Sequence, residues 1–244
     1  MPDMSATSLL SDAGVAARLV SVQVGKPAPV AGGDGRTQTT SLLKQPVTGT
    51  VWLGAEDLEG NRQHDRRYHG GPDKAACAYP SEHYAALSGY LGRELPPGAV
   101  GENFTTEGLD EAELCVGDRF AVGDSDGDGV CAVIEVSQPR QPCATLSRYY
   151  GVPKLPGFIV AGGITGWYFR TVTEGPVHPG AALRLLTRPH PRWTISELNR
   201  LMLTEKKDHA AIRDLLADAP PLAADWRDTF AARMKAAGAA AQPA

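Results

Sequence analysis

The sequence predicts a mainly β (α+β) protein: a β-barrel or sandwich with a few helices, followed by a small three-helix domain. Three observations carry this. Short stretches of alternating apolar and polar residues recur between positions 17 and 190, and such alternation marks half-buried strands. Twenty-seven glycines and 19 prolines in 244 residues exceed ordinary usage and call for many turns and short elements. After Pro191 the apolar spacing becomes helical.

Residues 1–16 read as a flexible leader. "RLVSVQVG" then alternates, with Val20, Val22 and Val24 on one face, as a strand does. "AGGDGRTQTTSL" is polar and glycine-rich, a loop. "GTVWLG" reads as a second strand, and "EGNRQHDRRYHGGPDK" as a long functional loop. "PSEHYAALSGYLG" places Tyr84, Leu87 and Leu91 at helical spacing between a Pro-Ser start and a Gly92 stop. "CVGDRFAVG" and "VCAVIEVS" form a hairpin with an enlarged turn. "GWYFRTVTEG" and "AALRLLTR" add two more strands. These segments compose one domain over residues 17–190.

The three-helix domain is expected over 191–235. Thr194 and Glu197 stand in capping-box positions. Ile195, Leu198, Leu201 and Met202 line one face, Ile212, Leu215 and Leu216 mark a second helix, and Leu222, Trp226 and Phe230 a third. Residues 236–244 read as a disordered tail.

Net charge is −4, so no global basic field argues for a nucleic-acid polymer or an anionic membrane as partner. No apolar run approaches the ~20 residues of a membrane span. The N-terminus has neither the basic start nor the apolar core of a signal peptide, which makes the cytoplasm the expected location and reduced thiols the expected state of Cys77, Cys115, Cys131 and Cys143. Their spacing excludes a zinc knuckle, a CxxC redox pair and an iron–sulfur set. Redox chemistry therefore needs another cofactor.

"DSDGDGVCAVIE" matches an EF-hand loop, with Asp124, Asp126, Asp128 and Glu135 at ligand positions. Its flanks alternate like strands, whereas an EF-hand needs helices on both sides. The stretch is expected to be an acidic hairpin tip without calcium.

Three stretches carry chemistry. In "RRYHGGPDKA", Gly70 and Gly71 let backbone amides approach an anion, and Arg66, Arg67, His69 and Lys74 surround them with positive charge. "VGENFTTEG" sets the acceptor Glu102 beside the amide of Asn103. In "VIEVSQPRQPCATL", Pro139 and Pro142 stiffen a loop holding Arg140 and Cys143. A thiol near an arginine ionises more easily, and thiolate is the form that binds soft metals. Cys77, Cys115 and Cys131 lie in apolar or alternating contexts and read as structural.

Together "YHGGPDKAACAYPSEHY", "VGENFTTEGLDEAELCVGDRF" and "VIEVSQPRQPC" closely resemble the MOSC domain proteins, named for the C-terminal domain of molybdenum cofactor sulfurases. The resemblance spans about residues 17–190. The stretches "WTISEL" and "PPLAADWRDTFAARM" are similar to the three-helix domain of the YiiM-like subgroup. The resemblance implies a MOSC-type β-barrel around a pterin–molybdenum cofactor, with Cys143 as the molybdenum ligand. It implies reduction of N-hydroxylated compounds such as hydroxylaminopurine bases or hydroxylamines. Lys44 falls in the family's "KxPV" block, His69, Gly70 and Gly71 in its HGG block, Glu102 and Asn103 in its GEN block, and Arg140 just before the cysteine. With Arg67 these make the expected cofactor-binding set. His69 is the expected proton donor, since its unperturbed pKa lies near neutrality. One departure stands out: the family's Gly-Asp before Gln is here Gly60-Asn61 before Arg62-Gln63, an amide for a carboxylate. No flavin fingerprint is present, so electrons come from a separate reductase. The alternative is a carrier that delivers the cofactor or its sulfur without turnover. Parent sulfurases also use pyridoxal phosphate, but no lysine context here argues for it.

Overall fold

The computed structural model describes residues 15–123, 131–218 and 220–240. The acidic tip Asp124–Asp128 and most of the leader fall outside the described residues.

Seven strands close a barrel: β1 (Val15–Val24), β6 (Ala76–Pro80), β7 (Phe104–Glu107), β8 (Arg119–Val122), β9 (Ala132–Pro139), β10 (Trp167–Thr173) and β12 (Ala182–Thr187). Around the barrel the order is β1-β7-β6-β10-β9-β8-β12, and β12 pairs back onto β1. Only β6 and β7 run parallel within this ring. The short β4 (Gln45–Pro46) adds to the far end of β1. Beside the ring, β2 (Ala28–Ala31) pairs with β3 (Thr37–Thr40), and β5 (Val51–Leu53) with β11 (Gly175–Val177). Closure leaves no long unpaired edge along the ring.

Strand β1 departs from its expected register. Its pairing with β7 shifts between Leu19 and Ser21. Such a bulge moves the following side chains to the opposite face. Ala17, Leu19 and Val22 are therefore inside and Val20 is exposed. The glycine-rich stretch expected as a loop also carries structure, the β2–β3 hairpin. Its tip is pinned because the backbones of Gly33 and Gly151 touch: a Cβ on Gly33 would lie 2.6 Å from the Gly151 Cα. That contact sets β3 beside the helix that follows Cys143.

Two apolar clusters organise the rest. The larger fills the barrel with Leu19, Phe120, Ile134, Trp167 and Phe169, and continues into Trp193, Ile195, Leu198, Ile212, Trp226 and Phe230. The three C-terminal helices thus bury their stripes against the barrel. They are α5 (Ile195–Asn199), extended by a π-helical turn (Arg200–Thr204), α6 (His209–Asp218) and α7 (Ala224–Ala240). Thr194 caps α5 by accepting from the Glu197 amide at 3.1 Å. Helix α7 carries through Ala240, beyond the point where the tail was expected to begin. The smaller cluster, with Leu42, Tyr79, Leu87, Val100, Leu146, Leu155 and Ile159, seats α2 (Tyr84–Leu91), α3 (Ala144–Tyr150) and α4 (Leu155–Ala161) outside the barrel. Of these, only α2 was legible as a helix.

Glu135, at the last ligand position of the EF-hand pattern, is 3% exposed. It accepts from Arg119 at 2.6 Å and Arg170 at 2.7 Å, so its carboxylate serves the barrel wall. Among the described residues no helix is long and apolar enough to cross a membrane.

Candidate active site

Where β9 ends, the chain leaves the barrel wall through Pro139 and Arg140. The Arg140 amide donates to Gly166 O at 2.9 Å, which ties the exit to the start of β10. Two residues on, Pro142 leads into Cys143, which has extended backbone and stands immediately before α3. Leu146 of α3 is buried in the smaller cluster, so packing fixes the helix that follows the thiol. Cys143 is half-buried and lines a cavity of about 400 Å³ with Arg140, His69, Tyr168 and Cys77.

Arg140 is 7% exposed. Its Nη2 donates to Val100 O at 2.6 Å, its one side-chain hydrogen bond among the described residues. Burial works against the guanidinium's charge, but the neighbouring Cys77, Tyr168, Cys143 and Glu102 outweigh it, so its pKa is raised and the group stays cationic.

His69 ends the four-residue helix α1 (Arg66–His69), which Asp65 caps by accepting from the Arg67 amide at 3.1 Å. Its Nδ1 lies 3.4 Å from Tyr168 Oη, with donor and acceptor set by the tautomer. Burial, then Arg140 and Lys74, lower its pKa. The imidazole is therefore neutral at neutral pH. Tyr168 is buried on β10 beside the cavity, and burial followed by the nearby Cys77 raises its phenol.

The rest of the expected set lies off the cavity wall. Gly70 closes α1 and Gly71 opens a 3₁₀ turn (Pro72–Lys74). That turn links helix α7 to the barrel: Lys74 Nζ pairs with Asp225 of α7 at 2.9 Å, and Asp73 pairs with Arg170 of β10 at 2.8 Å. Glu102 is fully buried and accepts from Gly98 N at 2.6 Å, Thr105 Oγ1 at 2.8 Å and the Tyr84 hydroxyl. Asn103 bridges strands, accepting from Cys77 N at 3.3 Å and donating to Gln23 O at 3.1 Å. Both hold the backbone behind the cavity and spend their polar atoms on the protein. Lys44 is buried, with Nζ donating to Asn61 Oδ1 at 2.8 Å, and Asn61 Nδ2 donating to Asp57 Oδ1 at 2.5 Å. The carboxylate that the motif lacks is thus supplied one step away by Asp57. Burial lowers the Lys44 pKa to about 8. Arg67 is exposed and paired with Asp65.

Sequence reasoning missed several contributors, Tyr68 among them. Cys77, read as structural, lines the cavity, and burial raises its pKa. Tyr168 and the β3 residues Gln38–Thr40 also line it. The alternation of β10 puts Tyr168 on the face opposite the core residues Trp167 and Phe169, which could have flagged it; nothing local flags β3. Among the described residues no group of three or more His, Cys, Asp or Glu side chains gathers to hold a metal ion.

The chain is thus a closed barrel with two thiols, Cys77 and Cys143, and a buried cation, Arg140, at one cavity. Residues 65–184 match the MOSC domain, and residues 193–236 match the YiiM-like, 3-alpha helix domain. This chain belongs to the MOSC domain family, in the branch that carries the YiiM-like helical domain. It is 40% identical over 212 residues to the uncharacterized protein YflK of Bacillus subtilis (strain 168), covering 87% of this chain and 92% of that one. The crystal structure of YiiM from Geobacillus stearothermophilus superposes with a TM-score of 0.72 at 37% identity, covering 89% of this chain and 99% of that one. A protein named reductase from Gibberella moniliformis is 30% identical over 67% of this chain, but only 28% of that protein is covered.

Proposed function

We propose that this chain is a molybdenum-cofactor-dependent reductase of N-hydroxylated compounds. The observation that carries the reading is Arg140: a buried guanidinium bonded only to a backbone carbonyl, on the wall of the cavity that Cys143 enters. A buried charge without a partner is costly, so this wall suits an anionic group. The residues fit the cofactor. The Cys143 thiol offers a soft ligand, Arg140 offers a charge for an anionic part, and about 400 Å³ offers room.

When bound, the cofactor supplies two-electron reduction of the N–O bond. Cys143 would be its protein ligand. The net change is R–NHOH plus two electrons and two protons to R–NH₂ plus water. His69, which burial keeps neutral at rest, would take up a proton from solvent and relay it toward the cavity through the Tyr168 hydroxyl. Glu102 and Asn103 keep the surrounding backbone rigid. A separate reductase supplies the electrons, and the small-molecule substrate is held in the cavity.

The test is metal and pterin analysis of protein from a host that makes the cofactor, then assay with an artificial one-electron donor and hydroxylaminopurine. Stoichiometric molybdenum with many turnovers supports the proposal. At most one turnover, with efficient passage of the cofactor to an apo-enzyme, replaces it with the carrier reading.

A further inference from the structure

Arg67, expected to contact the cofactor, stands behind an aromatic ring instead. Its Nε and Nη2 each lie 3.3 Å from a carboxylate oxygen of Asp65. Held there, its guanidinium carbon sits 5.6 Å from the centroid of the Tyr68 ring. Tyr68 is 67% exposed. It nevertheless lines the cavity that holds Cys143. Five other large apolar side chains among the described residues are exposed, though less so: Val20, Leu43, Trp52, Tyr90 and Val172. None of those five lines this cavity. An exposed ring at a pocket, with a cation over it that is itself paired to Asp65, is placed to present its open surface to a ligand.

The same cavity carries neutral polar groups. Thr39 and Thr40 come from β3, and Gln63 from the segment before α1. Such groups match the donors and acceptors along the edge of a neutral heteroaromatic ring. Arg148 also lines the cavity, but its Nη1 is engaged with Gln38 Oε1 at 3.1 Å.

We propose that Tyr68 is the stacking platform that selects planar heteroaromatic substrates, with Arg67 as the residue that positions its ring. The turnover arm of the test rests on the reductase reading; the binding arm does not. Stacking on one aromatic side chain is worth enough to change affinity by roughly 5- to 100-fold.

The experiment compares wild type, Tyr68→Ala and Tyr68→Phe as full-length, molybdenum-loaded proteins. Calorimetric titration with adenine, a planar ring without an N–OH group, should show about tenfold weaker binding or worse for Tyr68→Ala, and near-wild-type binding for Tyr68→Phe. Pterin and molybdenum contents should be equal in all three. In turnover, Tyr68→Ala should lower the ratio of kcat/KM for hydroxylaminopurine to that for hydroxylamine by about tenfold, mostly through KM. Three outcomes overturn the proposal: undetectable adenine binding by wild type, equal adenine affinity in wild type and Tyr68→Ala, or loss of pterin in Tyr68→Ala, which would put the cofactor on the ring instead. A loaded wild type that binds adenine but reduces neither substrate defeats the reductase reading, and the adenine affinities still decide the role of Tyr68.

Discussion

Replacing Lys44 with methionine should stabilise the protein at neutral pH without removing the cofactor. Lys44 is 7% exposed, and burial lowers its pKa from 10.5 to about 8. The sign follows from linkage. In the folded state the ammonium releases its proton more readily than in the unfolded chain. Below about pH 8 both states hold the proton and the full penalty of a buried charge is present; it is relieved as pH rises from about 8 toward 10.5. At about 1.4 kcal/mol per pH unit, the penalty at pH 7 is about 3 kcal/mol. By about pH 9.5 it falls to roughly 1.4 kcal/mol. Methionine has a similar volume and no charge, and Asn61 Oδ1 keeps the Gly25 amide as donor at 2.9 Å. Other groups titrate in the same window, including the raised thiols and phenols, so the informative quantity is the difference between the two proteins. Urea unfolding at both pH values should show Lys44→Met more stable at pH 7, with the advantage shrinking by about 2 kcal/mol at pH 9.5. A difference that does not change with pH would refute the reasoning. Since Lys44 lies off the wall of the Cys143 cavity, molybdenum content of the variant should match wild type.

Three further outcomes are expected. Cys143→Ser should fold with unchanged circular dichroism but carry little molybdenum and no reductase activity, measured by metal analysis and turnover. Cys77→Ala should keep its molybdenum, because that thiol lies on the strand β6 wall and not on the Cys143 loop; metal analysis of the folded variant checks this. Glu135→Leu should cost about 3 kcal/mol in urea unfolding, since it strips a buried carboxylate from Arg119 and Arg170.

The strands that alternate cleanly were legible, among them β8, β9, β10 and β12, because one buried face imposes period two on the local sequence. The face of β1 was misread because a bulge resets its register, and the partner strand, not the β1 sequence, determines that shift. The β2–β3 hairpin looked like loop because its turn and β3 are polar and its anchor, the Gly33–Gly151 contact, joins distant segments. The site showed the same division. Cys143, Arg140 and His69 were visible in short motifs and meet at one cavity. Glu102 and Asn103 were equally visible, yet they serve the backbone; only three-dimensional partners separate a wall-bracing polar residue from one that faces a ligand. Tyr68 and Cys77 had no local signal, since what distinguishes them is where the chain carries them.

Barrel closure has a consequence for how the protein is made. Strand β1 leaves the ribosome first among the seven, but its partner β12 comes last, after β10 has joined β6 and β9. Synthesis proceeds at roughly 5–20 residues per second, so Cys143 emerges seconds before Ala182–Thr187 can seal the ring. Through that interval the ring stays open at its β1–β12 seam and the Lys74–Asp225 link to helix α7 is unmade. A premature stop anywhere before β12 therefore yields an open sheet with its seam strand unpaired.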